Sequence, residues 1–150
     1  MPNTVHLDLL QAMALALASL PGVPASSVYI ELPTAVDGDD CPAVNITGGD
    51  LRFDNIGSDG MGYDTVKATA AITIKLHTRG GPHTQVADPL IGQVQAALMV
   101  DPSLGGRALR LRLAACRPTQ APADGVAGTY ELAYEVLAAV DERTLAIVTQ

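Results

Sequence analysis

The stretch TVKATAAITIKLH, Thr65 to His77, alternates along its whole length. Val66, Ala68, Ala70, Ile72, Ile74 and Leu76 fall on one side. Thr65, Lys67, Thr69, Thr73, Lys75 and His77 fall on the other. Successive side chains of a strand point to opposite faces, so this predicts a long, half-buried strand. Such a strand belongs to a sheet with one face on a core and one polar face.

A second alternating run, TYELAYEVLAAV (129–140), predicts the last strand. Tyr130, Leu132, Tyr134 and Val136 share one face, and Glu131 and Glu135 share the other. RALRLRL (107–113) alternates too, with leucines at 109, 111 and 113 and arginines at 110 and 112. The loop 117–128 separates these two runs, so antiparallel pairing is expected. Arg110 and Arg112 would then share an outer face with Glu131 and Glu135. Two readings of that face stand. One is exposed cross-strand ion pairs, worth about 0–1 kcal/mol each. The other is a contact with a neighbouring subunit, where arginine is favoured over lysine.

Between the strands, Asp88-Pro89 reads as a cap and first-turn proline opening a helix. Leu90, Ile91, Val94, Ala97 and Leu98 form its apolar stripe, and Asp101-Pro102 ends it. Gly105-Gly106 turns the chain back. Near the N-terminus, Leu7, Leu10, Ala14 and Leu17 predict an apolar helix face, with Asp8, Gln11, Leu15 and Ser19 opposite. Asn3 or Thr4 is positioned to cap it, and Pro21 closes it. Short strands are expected at 28–32 and 43–46, on either side of the acidic loop TAVDGDD (34–40). The order predicts one α+β domain over 1–150: a single mixed or antiparallel sheet with two helices on one face.

The segment TGGDLRFDNIGSDGMGYD (47–64) holds five glycines and four aspartates and reads as a mobile loop. DGMGYDTVK (59–67) resembles one unit of the calcium-binding nonapeptide, with Asp59 in place of its first glycine and Asp64 as the ligand. Those units work stacked, and there is one copy here, so a glycine-rich hairpin loop is the expectation.

The chain carries 16 Asp+Glu against 9 Lys+Arg, a formal net charge of −7. That balance argues against nucleic acid as a specific ligand and against an anionic membrane surface. Hydrophobic residues make up 48% but aromatics only 3%, so the core is expected to be aliphatic. Mean hydropathy is +0.24, high for an acidic soluble monomer; apolar surface buried between subunits and an alanine-rich bias explain it equally. AMALALASLPGVPASS (12–27) lacks the positive segment a secretory signal needs, and Pro21, Gly22 and Pro24 stop it short of a membrane span.

Cys41 and Cys116 are expected as reduced, buried thiols. His6, His77 and His83 have no ligand spacing for zinc, and RGGPH (79–83) lacks the lysine and helix of a phosphate loop. No catalytic set, metal site or cofactor site is expected.

The second half resembles the tail terminator (tail completion) proteins of long-tailed bacteriophages. The matching positions are Ala96-Ala97-Leu98 closing a helix, then Asp101 and Leu104-Gly105-Gly106 in a turn. Asp124-Gly125 follows in a loop, and Tyr130 to Val136 in a closing strand. The N-terminal helix followed by Pro21 and Val23, and Leu32-Pro33 before an acidic loop, fit as well. The aspartate-rich segment 47–64 does not match the family.

The resemblance implies a structural virion subunit with no catalysis and no cofactor. It implies a six-fold ring of identical copies on the head-proximal end of the tail tube. Its partners would be itself, the tail tube protein and a neck or head–tail connector protein. DNA would pass through without specific contact, and no membrane is involved. Arg110, Arg112, Glu131 and Glu135 become candidates for the subunit interface. Asp50, Arg52, Asp54, Asp59 and Asp64 become candidates for tube or neck contacts or for the ring lumen. Two alternatives stand beside this: another neck or connector subunit, and a cytoplasmic small-molecule-binding α+β protein.

Overall fold

A computed structural model describes residues 3–33, 36, 40–55, 65–123 and 127–148. In chain order the elements are α1 (Val5–Leu17), β1 (Val28–Ile30), β2 (Ala43–Asn55), β3 (Thr65–Thr78), α2 (His83–Val100), β4 (Arg110–Gln120) and β5 (Gly128–Asp141). The strands form one sheet in the order β1-β2-β3-β5-β4. β1 runs parallel to β2, and every other pair is antiparallel. The fold is α+β, with a mixed sheet and two helices, as the element order predicts.

β3 is the centre of the molecule. It pairs along its full length with β5, from Thr65 opposite Asp141 to Thr78 opposite Gly128. Its six apolar positions, Val66 to Leu76, are all buried, as the alternation predicts. On β5, Tyr130, Leu132, Tyr134 and Val136 are buried on the same side. Both helices cover this face: α1 packs over β1, β2 and β3, and α2 over β3 and β5. The core between the layers is aliphatic, apart from Tyr130 and Tyr134.

The stripe of α1 differs from the expected one. Val5, Leu9, Leu10, Met13 and Leu17 are buried, whereas Leu7 is exposed. The i, i+4 ridge 5-9-13-17 faces the sheet, which turns Leu7 outward. Thr4 is the N-cap but makes no side-chain cap bond. Instead Val5 N–H donates to the Leu145 carbonyl at 2.8 Å, so the C-terminal segment closes the helix start.

α2 begins at His83, earlier than Asp88, and Pro89 lies inside it. Contacts with β5 account for the extra turn. The Thr84 hydroxyl meets the Tyr130 hydroxyl at 2.6 Å, the His83 ring packs edge-on against Tyr130, and Ala87 is buried. After α2, Asp101 organises the turn. Its carboxylate accepts from Ser103 N–H, Ser103 Oγ and Gly105 N–H. Leu104, Gly105 and Gly106 take positive φ there, at 51°, 72° and 84°. The Ser103 hydroxyl holds the Asp101 carboxyl below its usual range, with the Gly105 N–H adding to it.

Two strands outrun their expected limits. β2 continues to Asn55 rather than stopping at Ile46, so Asp50, Arg52 and Asp54 stand in a strand and not in a loop. Gly49 and Asp50 oppose Ala71 alone, a bulge that the glycines accommodate. Leu51 to Asn55 then pair with Ala70 to Val66. Asp59 and Asp64, with the rest of 56–64, lie outside the described residues. β4 starts at Arg110 and continues through Gln120, into the expected loop. The long β5 offers it a partner edge throughout, and Ala114 and Thr119 are taken up where the register shifts.

Candidate functional site: the outer face of the sheet

With both helices on one side, the other side of the sheet faces outward and is largely open among the described residues. Its end at Ala43, Asn45 and Thr129 is buried, with Leu32 N–H donating to Asn45 Oδ1 there. The register sets its residues in transverse rows. One row runs Tyr29, Asn45, Lys75, Glu131, Arg117 from β1 to β4. A second holds Thr47, Thr73, Ala133 and Ala115, and a third Ala71, Glu135 and Arg112. A fourth runs Arg52, Thr69, Leu137, Arg110. A fifth runs Asp54, Lys67, Ala139, and beyond it Thr65 stands opposite Asp141. Val148 extends the fifth row, because its N–H donates to the Ala139 carbonyl at 2.8 Å.

The four interface candidates are on this face but do not share one arrangement. Arg112 donates to Glu135 at 2.6 Å. Glu131 is met by Arg117 at 3.3 Å, not by Arg110. Arg110 stands opposite Leu137 and has no ion-pair partner among the described residues. Between Arg112 and Arg117 there are five steps on β4 but four on β5, from Glu135 to Glu131. The bulge at Ala114 supplies the extra residue and brings Arg117 onto the arginine face, where strict alternation would put it inside. The two exposed pairs, at about 0–1 kcal/mol each, do little for stability.

Of the 47–64 candidates, Arg52 and Asp54 are on the outer face at its β2 edge, and Asp50 sits in the bulge. All three are exposed. Sequence reasoning placed Lys67 on the polar side of 65–77 but missed Leu137 and Val148 as parts of this face. Lys67 was legible in the alternation of 65–77, but only the register puts it beside Leu137.

A second feature is a surface groove of about 470 Å³ between α1 and the end of α2. Ala12, Leu15, Ala97, Val100 and Leu104 line it, and Leu15 and Val100 are 78% and 86% exposed. Of its charged residues, Asp8 and Arg107 bond each other at 3.0 Å, and the Asp101 carboxylate accepts from its own turn. Arg107 also donates to the Leu104 carbonyl. Their hydrogen-bonding capacity is directed at the protein rather than converging on the groove, unlike that of a small-molecule site.

Neither cysteine is in a disulfide, but Cys116 is exposed and Cys41 half-buried, against the expectation of buried thiols. Cys116 lies on β4, the edge strand of the sheet among the described residues. Partial burial and the nearby Asp88 push its thiol up, opposite to what an activated nucleophile needs. Burial likewise pushes up the Tyr134 hydroxyl, which donates to Gln95 Oε1 at 2.7 Å. Among the described residues no group of three or more His, Cys, Asp or Glu could hold a metal ion. No described helix is long and apolar enough to cross a membrane.

No protein-family model matches the chain, and no curated protein matches it. Among solved structures it is similar to a chain of the virion of a native gene transfer agent particle. The identity is 14% and the TM-score 0.43, over 91% of this chain and 92% of the other.

Proposed function

We propose that this chain is a structural subunit of a phage-like particle, a tail terminator that assembles head to tail into a six-fold ring on the tail tube. The observation that carries the reading is the outer face of the sheet, which neither helix covers. Five strands are packed on one side by both helices, while the other side presents ordered rows of charged and apolar residues. A face of this kind, on a small acidic chain, suits burial against another copy. The positions of the family resemblance support it too. Ala96-Ala97-Leu98 lie in the last turns of α2, Asp101 to Gly106 form one hydrogen-bonded turn, and Tyr130 to Val136 lie in β5.

The chemistry of such a cap is competitive binding. Tube subunits add by repeating one head-to-tail interface, which has no intrinsic stop. A ring that takes the end surface and offers the tube nothing to build on ends growth. Its other side then serves for joining the head.

The test is a particle-producing strain with an early stop codon in this reading frame, viewed by electron microscopy. Tails of uncontrolled length with filled, unjoined heads are expected. Normal tails attached to heads would refute the reading. Normal-length tails free beside full heads would assign the chain to a connector instead.

A further inference from the structure

We propose that one end of the outer sheet face, centred on Leu137, is the surface by which one copy holds the acidic β1 edge of the next. The inference rests on the ring reading and names the contact within it.

The outer face is not uniform. In its upper rows Arg112 pairs with Glu135 and Arg117 with Glu131, leaving Lys75 without an ion pair among the described residues. In the rows of Arg52 and Lys67 no ion pair forms among the described residues, although Asp54 stands opposite Lys67. Arg52, Lys67 and Arg110 are exposed and have no ion-pair partner among the described residues. Arg52 and Arg110 end the same row, three strand spacings or about 14 Å apart. Between and beside them lie Leu137, half-buried, and Val148, 40% exposed, while Ala139 is itself buried at 6%. The result is a small apolar centre with a cationic rim, in which Asp54 stands opposite Lys67 and Asp141, paired with Arg143, lies one row beyond. A protein interface has this anatomy, with charge depleted at the centre and arginine enriched.

The patch is cationic on a chain of net charge −7. Its complement is at the opposite edge of the same sheet. Glu31 directly follows β1, its carboxylate accepting from Gly48 N–H at 3.3 Å, and Asp40 lies three residues before β2; both are exposed. One copy's patch on the next copy's β1 edge joins two unlike surfaces. Such a contact repeats around a ring and leaves no copy unmatched when it closes. Duplex DNA is the other anionic partner to weigh. The apolar centre gives nothing to a phosphate backbone, and Asp54 repels it.

The experiment mixes two charge-reversed proteins. One carries Arg110→Glu with Lys67→Glu; the other carries Glu31→Lys with Asp40→Lys. Each is checked for wild-type thermal unfolding, then followed by sedimentation and native mass spectrometry over a concentration series. Wild type is expected to self-associate, each variant alone at least about tenfold more weakly, and the equimolar mixture to recover mixed oligomers. Leu137→Gln, which alters no charge, should also weaken association and guards against a folding defect in the reversed pair. Variants that assemble like wild type would overturn the contact while leaving the ring intact. A wild type that stays monomeric, alone and on tube ends, would overturn the ring and the contact together. Duplex DNA binding that the patch variants lose, with unchanged oligomeric state, would overturn the contact in favour of nucleic acid.

Discussion

Gly48 on β2 lies directly beneath the ring of His6 on α1. A Cβ built at Gly48 would fall inside contact distance of His6 Nε2 and 3.0 Å from its Cε1. The helix rests on the sheet at a point where only glycine fits. Gly48→Ala should therefore destabilise the protein by about 1–3 kcal/mol through overpacking. His6→Ala should restore part of that loss when combined with it. Denaturant unfolding of both single variants and the double variant measures the coupling. Additive effects would show that the two residues do not meet.

The ion pairs of the outer face should behave differently. Arg112→Ala and Glu135→Ala are each expected to change stability by less than about 1 kcal/mol, because both side chains are well exposed. A double-mutant cycle should give a coupling of about 0.2–1 kcal/mol that shrinks in high salt. A larger coupling would mean that the pair is shielded from water in the protein as studied.

Pro89 interrupts the bonding of α2, because it has no N–H to give to the Gln85 carbonyl. It is exposed, so replacing it loses little packing. Pro89→Ala should stabilise the protein by about 1–2 kcal/mol, the helix gain exceeding the lost stiffness of the unfolded chain. Thermal unfolding checks it; a lower midpoint would show that the proline sets a bend the packing needs.

The Pro89 site also shows where local sequence signals fall short. Asp88-Pro89 has the form of a helix start, yet contacts of His83 and Thr84 with Tyr130, 46 or more positions away, extend the helix. β3 was legible because one residue in two is apolar for its whole length. The same logic gave the face shared by Tyr130, Leu132, Tyr134 and Val136, and it placed Arg112 opposite a glutamate. It failed wherever an extra residue enters a strand. The bulge at Gly49-Asp50 made half of β2 look like loop, and the bulge at Ala114 hid the pairing of Arg117 with Glu131. Periodicity counts residues along one strand, whereas a bulge is defined by the partner strand. The Leu137 patch draws on β2, β3, β4, β5 and the C-terminal segment, and no single run of sequence contains it.

The last prediction concerns acid. His77 stands on the outer face of β3, with its Nδ1 3.3 Å from the Thr129 hydroxyl. Burial of the ring, and then the charge of Lys75 two residues earlier, hold it below its ordinary value of 6.5. The fold therefore favours the neutral ring, and the unfolded chain takes up its proton first as pH falls. Stability from this source is complete above about pH 6.5 and declines as pH drops through that value towards the lower folded one. Asp101 and Asp141 act in the same direction at lower pH. Their carboxyls are held below the ordinary 3.8, chiefly by Ser103 and Arg143 respectively. Stability measured from pH 8 to pH 3 should thus fall in two stages. His77→Gln should remove the first stage and leave the second. If wild type and His77→Gln lose stability in parallel between pH 7 and pH 5, the ring is not the group that titrates there.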